Sequence, residues 1–531
     1  MGYNNRVKIL TGLVALVLAL AVGASAAPDA VFDGSRLFGA GVAAPVAGSW
    51  RRAAPVLPRP VFVPVAAQAP APASAPAESV RRLTSGFLGL YPEADFDLGT
   101  GRCAACNGPV EGKWYFLDDE LAFPKAGPAG LVWLGSREMY EGVALSADGL
   151  TARLQDGTVV PFALTEKIES NRSYYDASSL AYLRGRTVRV RGELIEKDGV
   201  KVLVARTLWP EDYRIDAADL KEADAKNAAD IDALVSADKG GAKKDFQTLL
   251  LWERPGAGRA WEGLPVMGFM LNGAQGDDDE ALAGHSSLFT GRYGPGGSMA
   301  DWIFDNFYDM NTYSEKGIVA SMVPMDKYMA DLNSGQSWYR PSYMLVMVMK
   351  DARVPLKFQE AFTAQYAKYY SQELKYDKTN KNCTALISDP VREQGWRFPE
   401  TGKTPTLIAK LIAKAAGIKD PAAGEQIYRS LREEPTRSFP RASFTAVGGD
   451  LLTMAGAFGA EPSGREYSPL ENEIREDLLA VLFVRLPQIP SSRKFGREPV
   501  GGVLDYFLRA PMDRSKWQTV PSFPRPFPPP R

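Results

Sequence analysis

Ala283-Gly284-His285-Ser286-Ser287-Leu288-Phe289 and Asn380-Lys381-Asn382-Cys383-Thr384-Ala385-Leu386 decide how this chain is read, because they hold its only histidine and a cysteine with no nearby partner. The first stretch alternates from His285 onward and predicts a strand that starts at the histidine. The second predicts a helix, with Asn382 as its cap and Cys383 in its first turn. A free thiol is a weak nucleophile at neutral pH. Its thiolate is favoured by a nearby imidazolium and by the positive end of a helix. The two stretches therefore contain the parts of a Cys/His pair, with no second histidine to compete. Each residue also has a plainer use, His285 as a hydrogen-bonded strand residue and Cys383 as a small buried hydrophobe.

Working outward, Phe246 to Trp252 and Trp302 to Tyr308 are further strand candidates, and Tyr343 to Met349 is apolar enough to be a strand buried on both faces. Phe358, Phe362, Tyr366, Tyr369 and Tyr370 recur at helical spacing along Leu356 to Leu374. Pro390 is expected to limit the helix after Cys383 to about two turns unless the chain bends there.

Gly-His opening a strand, a further strand, a helix and then Asn-Cys opening a later helix resembles the circularly permuted NlpC-like hydrolases of the papain fold, in which His precedes Cys. Lecithin retinol acyltransferase-like proteins belong to the same group. Within it, Asn380-x-Asn382-Cys383-Thr384 and Tyr339-Arg340-Pro341 are most similar to a family of exported bacterial proteins with no settled function. The resemblance covers about 246–396. It implies that Cys383 attacks an acyl carbonyl, that His285 takes the proton and later assists the leaving group, and that a polar third residue orients the imidazole. That third residue belongs on the strand after the His strand, where Asn306 and Asp305 are offered. They point to opposite faces of a strand, so only one serves, and Asn306 is favoured. The backbone amide of Cys383 is expected in an oxyanion hole.

The N-terminal part sets the compartment. Arg6 and Lys8, the apolar run Ile9 to Val22 and Ala24-Ser25-Ala26 read as an export signal, residues 1–26, cleaved before Ala27. The expected location is periplasm, cell envelope or secreted, with no stable membrane span once the signal is removed. Residues 27–80 form an Ala/Pro-rich linker. Three cysteines in an oxidising compartment leave an odd one. Cys103 and Cys106 are expected to pair as a disulfide, leaving Cys383 free. No c-type haem site is expected, since Asn107 follows Cys106, and no zinc site, which normally takes four protein ligands, since beyond this pair the chain offers one His and one further Cys. With 62 basic and 63 acidic residues, nothing points to nucleic acid. No cofactor is implied, and Gly402-Lys403-Thr404 lacks the earlier glycine of a phosphate loop.

Residues 81–213 predict a β-rich module. Val188, Val190 and Leu194 share a face, Asp198-Gly199 turns the chain, and Val200, Val202 and Val204 return. Leu183 to Trp209 resembles the strands of OB-like small barrels, which implies either ligand binding or a docking role. Residues 214–245 read as a charged, solvated linker or helix, and Asp277-Asp278-Asp279-Glu280 as a solvated turn. Gln336, Trp338 and Arg340 are either groove residues or, for Arg340, a buried ion-pair partner. Residues 397–531 read as a helical extension with a Pro-rich tail. In it Leu407, Leu411 and Ile412 form one stripe, and the capping box Ser468-Pro469-Leu470-Glu471 opens a helix that carries the apolar run 478–484. The expected fold class is α+β: a small N-terminal β-barrel-like module, a permuted papain-like domain over 246–396, and the helical extension. The expected activity is a thiol-dependent hydrolase or acyltransferase on a cell-wall or lipid amide or ester; the alternative is a non-catalytic envelope binding protein.

Overall fold

The structure, a computed structural model, describes residues 86–100, 120–125, 132–136, 138–165, 174–236, 241–309, 312–314, 316, 318, 320–371, 373–378, 381–400, 404–416, 421–457, 464–511, 514–520 and 522–524. The export signal, the Ala/Pro-rich linker and the Cys103/Cys106 pair lie outside them.

Ser342–Met349 anchors the architecture. All eight of its residues are buried, and it is hydrogen-bonded antiparallel to Pro265–Asn272 on one side and Leu478–Leu486 on the other. A run without polar alternation has no face to give to water, so it settles in the middle of a covered sheet. That sheet has eleven strands, in the order 221–222, 247–253, 478–486, 342–349, 265–272, 285–292, 303–306, 321–324, 132–133, 120–124 and 96–100. The helices Arg353–Tyr370, Cys383–Glu393 and Pro440–Met454 pack against it, with Trp396 edge-on to both Phe269 and Phe358. The chain is thus mixed α+β, and the strand and helix between 342 and 370 follow the expected periodicity.

The C-terminal part is not purely helical. Ser468 caps the helix Pro469–Asp477 with the expected reciprocal Glu471 bond, but the helix stops at Asp477 and Leu478–Leu486 is a strand inside the main sheet. A continuous apolar run carries no period to separate a buried strand from a buried helix. Here Val481, Phe483 and Val484 suit a strand, and two apolar neighbours wait on either side. The helix Thr406–Ala416 also turns differently from the expected stripe: Leu407 and Leu411 are exposed, Ile412 is half-buried, and Ala409 packs beside Ile427 and Leu431.

The expected solvated segment 214–245 is likewise built in. Ala228–Ser236 buries Ile231 and Val235, and Ala228 lies so near the helix Pro440–Met454 that a Cβ on Gly449 would stand 2.6 Å from the Ala228 nitrogen. The apolar i, i+4 pair faces in, and Asp232 beside it bonds Arg441 of the helix Pro440–Met454.

Five strands close a small barrel: 138–145, 151–153, 159–164, 200–205, 187–197 and back to 138–145. The pairing of 159–164 with 200–205 is parallel and the others are antiparallel. The helix Ala177–Leu183 lies between the third and fourth strands in the chain. Asp198 and Gly199, with φ of 53° and 76°, make the expected tight turn. Alternation along Thr187–Lys197 sends Val188 and Val190 into the barrel core and Arg189 and Arg191 outward into the body of the protein. There Arg189 Nη1 donates to Asp301 Oδ2 at 3.1 Å, and Arg191 Nε to Asp326 Oδ2 at 2.8 Å. Arg206 adds a bond to Asp331 at 2.9 Å. Of these six charged side chains, all but Arg206 are under a tenth exposed, so the barrel is clamped to the body by buried charge. Among the described residues, no helix is long and apolar enough to cross a membrane.

Candidate active site

His285 begins its strand because of the residue before it. Gly284 has φ +82°, and a Cβ there would stand 2.3 Å from the Asn272 carbonyl oxygen. Only glycine allows that turn and that approach. His285 then pairs with Asn272, which pairs on its other side with Ser342. The neighbouring strand Ile303–Asn306 joins through Leu288 opposite Asp305, and its last residue reaches back to the ring. His285 Nε2 lies 2.6 Å from Asn306 Oδ1. The ring nitrogen donates to the amide oxygen, which leaves the lone pair on Nδ1. Tyr308 stands edge-on to the imidazole, centroids 6.0 Å apart.

Asp305 points the other way and makes no bond to His285. It is fully buried and both of its oxygens lack hydrogen-bond partners, so burial holds it well above the ordinary carboxylate range. A neutral acid on the opposite face does not orient the imidazole.

Cys383 opens the helix Cys383–Glu393. The cap Asn382 accepts from the Thr384 and Ala385 amides at 3.0 and 3.1 Å, and donates to the Ser438 carbonyl at 2.9 Å. Pro390 does not end this helix after two turns. Its missing N–H would have bonded the Leu386 carbonyl, and Gln365 Nε2 supplies that bond instead at 2.5 Å. The helix start is joined to the His strand through Ser286, the residue next to His285. Its hydroxyl lies 3.3 Å from Thr384 Oγ1, and Thr384 Oγ1 in turn lies 4.0 Å from the Cys383 sulfur.

Burial sets the protonation. His285 is 3% exposed and Cys383 6%. Burial lowers the imidazole to about 3, aided by the charge of Arg340 and opposed by the Asn306 bond. Burial raises the thiol, opposed by the Ser286 amide, the Thr384 hydroxyl and Arg340. Both effects favour the neutral pair over thiolate and imidazolium.

A polar lattice that no local spacing announces continues behind the ring. Tyr328 donates to Asn272 Oδ1 at 2.5 Å and accepts from Ser287 at 3.2 Å, and Asn272 Nδ2 donates to Ser342 at 2.8 Å. Strand register brings Asn272, Ser287 and Ser342 together, and the helix Met325–Ala330 carries Tyr328 to them. Gln336, Trp338 and Arg340 are all buried; Arg340 bonds Gln336 and the Gly273 carbonyl. Asp277 to Glu280 is not a solvated turn either. Lys316 pairs with Asp277 at 3.1 Å, Tyr174 donates to Asp277 at 2.6 Å, and Asp278 is buried. These partners lie far away in the chain, so the charge run is half of a buried network. Among the described residues, no three of His, Cys, Asp or Glu come together as a metal site. Comparison with protein-family models, with curated proteins and with solved structures finds no match to this chain.

Proposed function

We propose that this chain is an exported thiol-dependent hydrolase or acyltransferase, acting on an amide or ester of a cell-wall peptide or a lipid. Cys383 Sγ attacks the acyl carbonyl while His285 Nδ1 takes the thiol proton. The tetrahedral intermediate collapses to a thioester as His285 returns the proton to the leaving amine or alcohol. Water or a second nucleophile then releases the acyl group. Asn306 holds the imidazole through Nε2, and the Cys383 amide, first in its helix, stabilises the oxyanion.

The observation that carries this reading is the 2.6 Å bond between His285 and Asn306, with the adjacent Ser286 linked through Thr384 to the helix start at Cys383. The order of a His strand, an Asn strand and a later Cys helix supports a permuted papain-like domain. The barrel order, with its one parallel pairing, supports the OB-like reading, and its charge clamp supports a docked module over a spacer. The test is alkylation of native protein with iodoacetamide near neutral pH. Cys383 labels, and His285→Ala slows it by more than Asn306→Ala. A second reading, a non-catalytic envelope binding protein, is favoured by the burial that raises the Cys383 thiol. It requires labelling that starts only on unfolding and ignores His285.

A further inference from the structure

Arg340 is a buried cation that pairs with no carboxylate among the described residues. It is 2% exposed, and its partners are neutral: Nε and Nη2 donate to Gln336 Oε1 at 2.9 and 2.6 Å, and Nη1 to the Gly273 carbonyl at 3.2 Å. The buried cations elsewhere in this body are treated differently. Arg189 pairs with Asp301, Arg191 with Asp326, Arg206 and Lys327 with Asp331, and Lys316 with Asp277. A guanidinium has five N–H groups. Three are committed, so one N–H remains on each terminal nitrogen, in the forked arrangement that suits a carboxylate or phosphate.

Its place ties it to the candidate nucleophile. Arg340 sits just before the strand Ser342–Met349; Ser342 pairs with Asn272, Asn272 with His285, and Gly273 extends the middle strand. Arg340, Gly273 and His285 thus share one end of three adjacent strands. The field of Arg340 reaches Cys383, His285, Tyr308 and Tyr328. Asp278, a carboxylate whose field reaches it, forms no ion pair with it and is itself buried.

We infer that the substrate carries an anionic group, a carboxylate or a phosphate, close to its reacting acyl carbonyl, and that Arg340 receives that group. The inference rests on the reading of Cys383 as the nucleophile and deepens it. An uncompensated buried charge is costly to the free protein, and an anionic substrate removes that cost on binding. A neutral amide or ester leaves it in place.

Two alkylating reagents of nearly equal size separate the possibilities on native, full-length protein. Iodoacetate carries the charge and iodoacetamide does not. Relative to glutathione, Cys383 favours iodoacetate over iodoacetamide by about tenfold or more, as for a charge-assisted hydrogen bond. Arg340→Gln brings the ratio to that of glutathione, and Arg340→Lys keeps part of the preference. Because Arg340→Gln also removes packing, Gln336→Glu is the second variant: it places a carboxylate on the guanidinium and erases the preference with the arginine retained. Succinate and inorganic phosphate, as competitors of iodoacetamide, identify which anion is received. Labelling by both reagents at the glutathione ratio overturns the anion site and leaves the nucleophile standing. If neither reagent labels the native protein, the nucleophile reading falls, and thermal unfolding decides the anion site. A midpoint raised by succinate or phosphate in wild type but not in Gln336→Glu upholds it, and no shift in either overturns it.

Discussion

Lowering the pH charges a single imidazole in the proposed site, because the chain has one histidine. Burial places the His285 imidazole at about 3, against about 6.5 in the unfolded chain. The unfolded state therefore binds the proton first as pH falls. The stability owed to neutral His285 is fully present above about 6.5 and is lost progressively as pH falls toward 3. Linkage gives a loss of about 1.9 kcal/mol between pH 7 and pH 5, and nearly 5 kcal/mol over the whole window. Asp278 opposes it, since burial raises its carboxyl to about 6 and folding then gains stability over part of the same range. The useful quantity is therefore the difference between wild type and His285→Gln, in which Asp278 is common to both. That difference should shift by about 1.9 kcal/mol toward the variant on going from pH 7 to pH 5. Denaturant unfolding at the two pH values measures it. The nuclear magnetic resonance signal of the lone imidazole measures the same pKa directly. A ring that titrates near 6.5 in the folded protein, or a difference that stays flat with pH, would refute the neutral buried imidazole and restore a standing ion pair as an option for Cys383.

Three further outcomes follow from named contacts. Asn306→Ala leaves the buried His285 Nε2–H without its acceptor; when the ring becomes charged during proton transfer, about 1.5–3 kcal/mol is forfeited, so iodoacetamide labelling of Cys383 slows about 10- to 100-fold by mass spectrometry. Gly284→Ala combines a φ of +82° with a Cβ placed 2.3 Å from the Asn272 oxygen; the thermal midpoint drops by the equivalent of more than about 1 kcal/mol, and a midpoint equal to wild type contradicts the tight approach. Asp326→Ala strips the shared partner from Arg189 and Arg191 and costs about 3–5 kcal/mol, read as early proteolysis at the barrel junction, whereas joint replacement of Arg191 by Met and Asp326 by Leu recovers most of the loss.

What was legible in the sequence was what short-range chemistry decides. Asn382 caps a helix from two residues away, the aromatic stripe from Phe358 to Tyr369 repeats at the helical period, and Asp198-Gly199 turns a hairpin. Such features carry their cause within a few residues. The strand at 478–486 did not, because its identity depends on two neighbours, 247–253 and 342–349, that flank it only in the folded sheet. Asp277 and Asp278 looked solvated for the same reason: Lys316 and Tyr174, which make that run a buried network, are distant in the chain. The site divides along the same line. Its residue types were legible, as was the choice of Asn306 over Asp305 as the one on the histidine's side of the strand. Its electrostatics were not. A histidine and a cysteine at helix and strand starts suggest an ion pair, while burial at 3% and 6% exposure makes the neutral pair the resting state. Arg340 marks the limit most clearly. Its partner Gln336 is four residues upstream and in reach of inspection, but the missing counter-charge is a property of the whole fold. Only the folded neighbours show that, among the described residues, Arg189, Arg191, Lys316 and Lys327 have carboxylate partners and Arg340 has none.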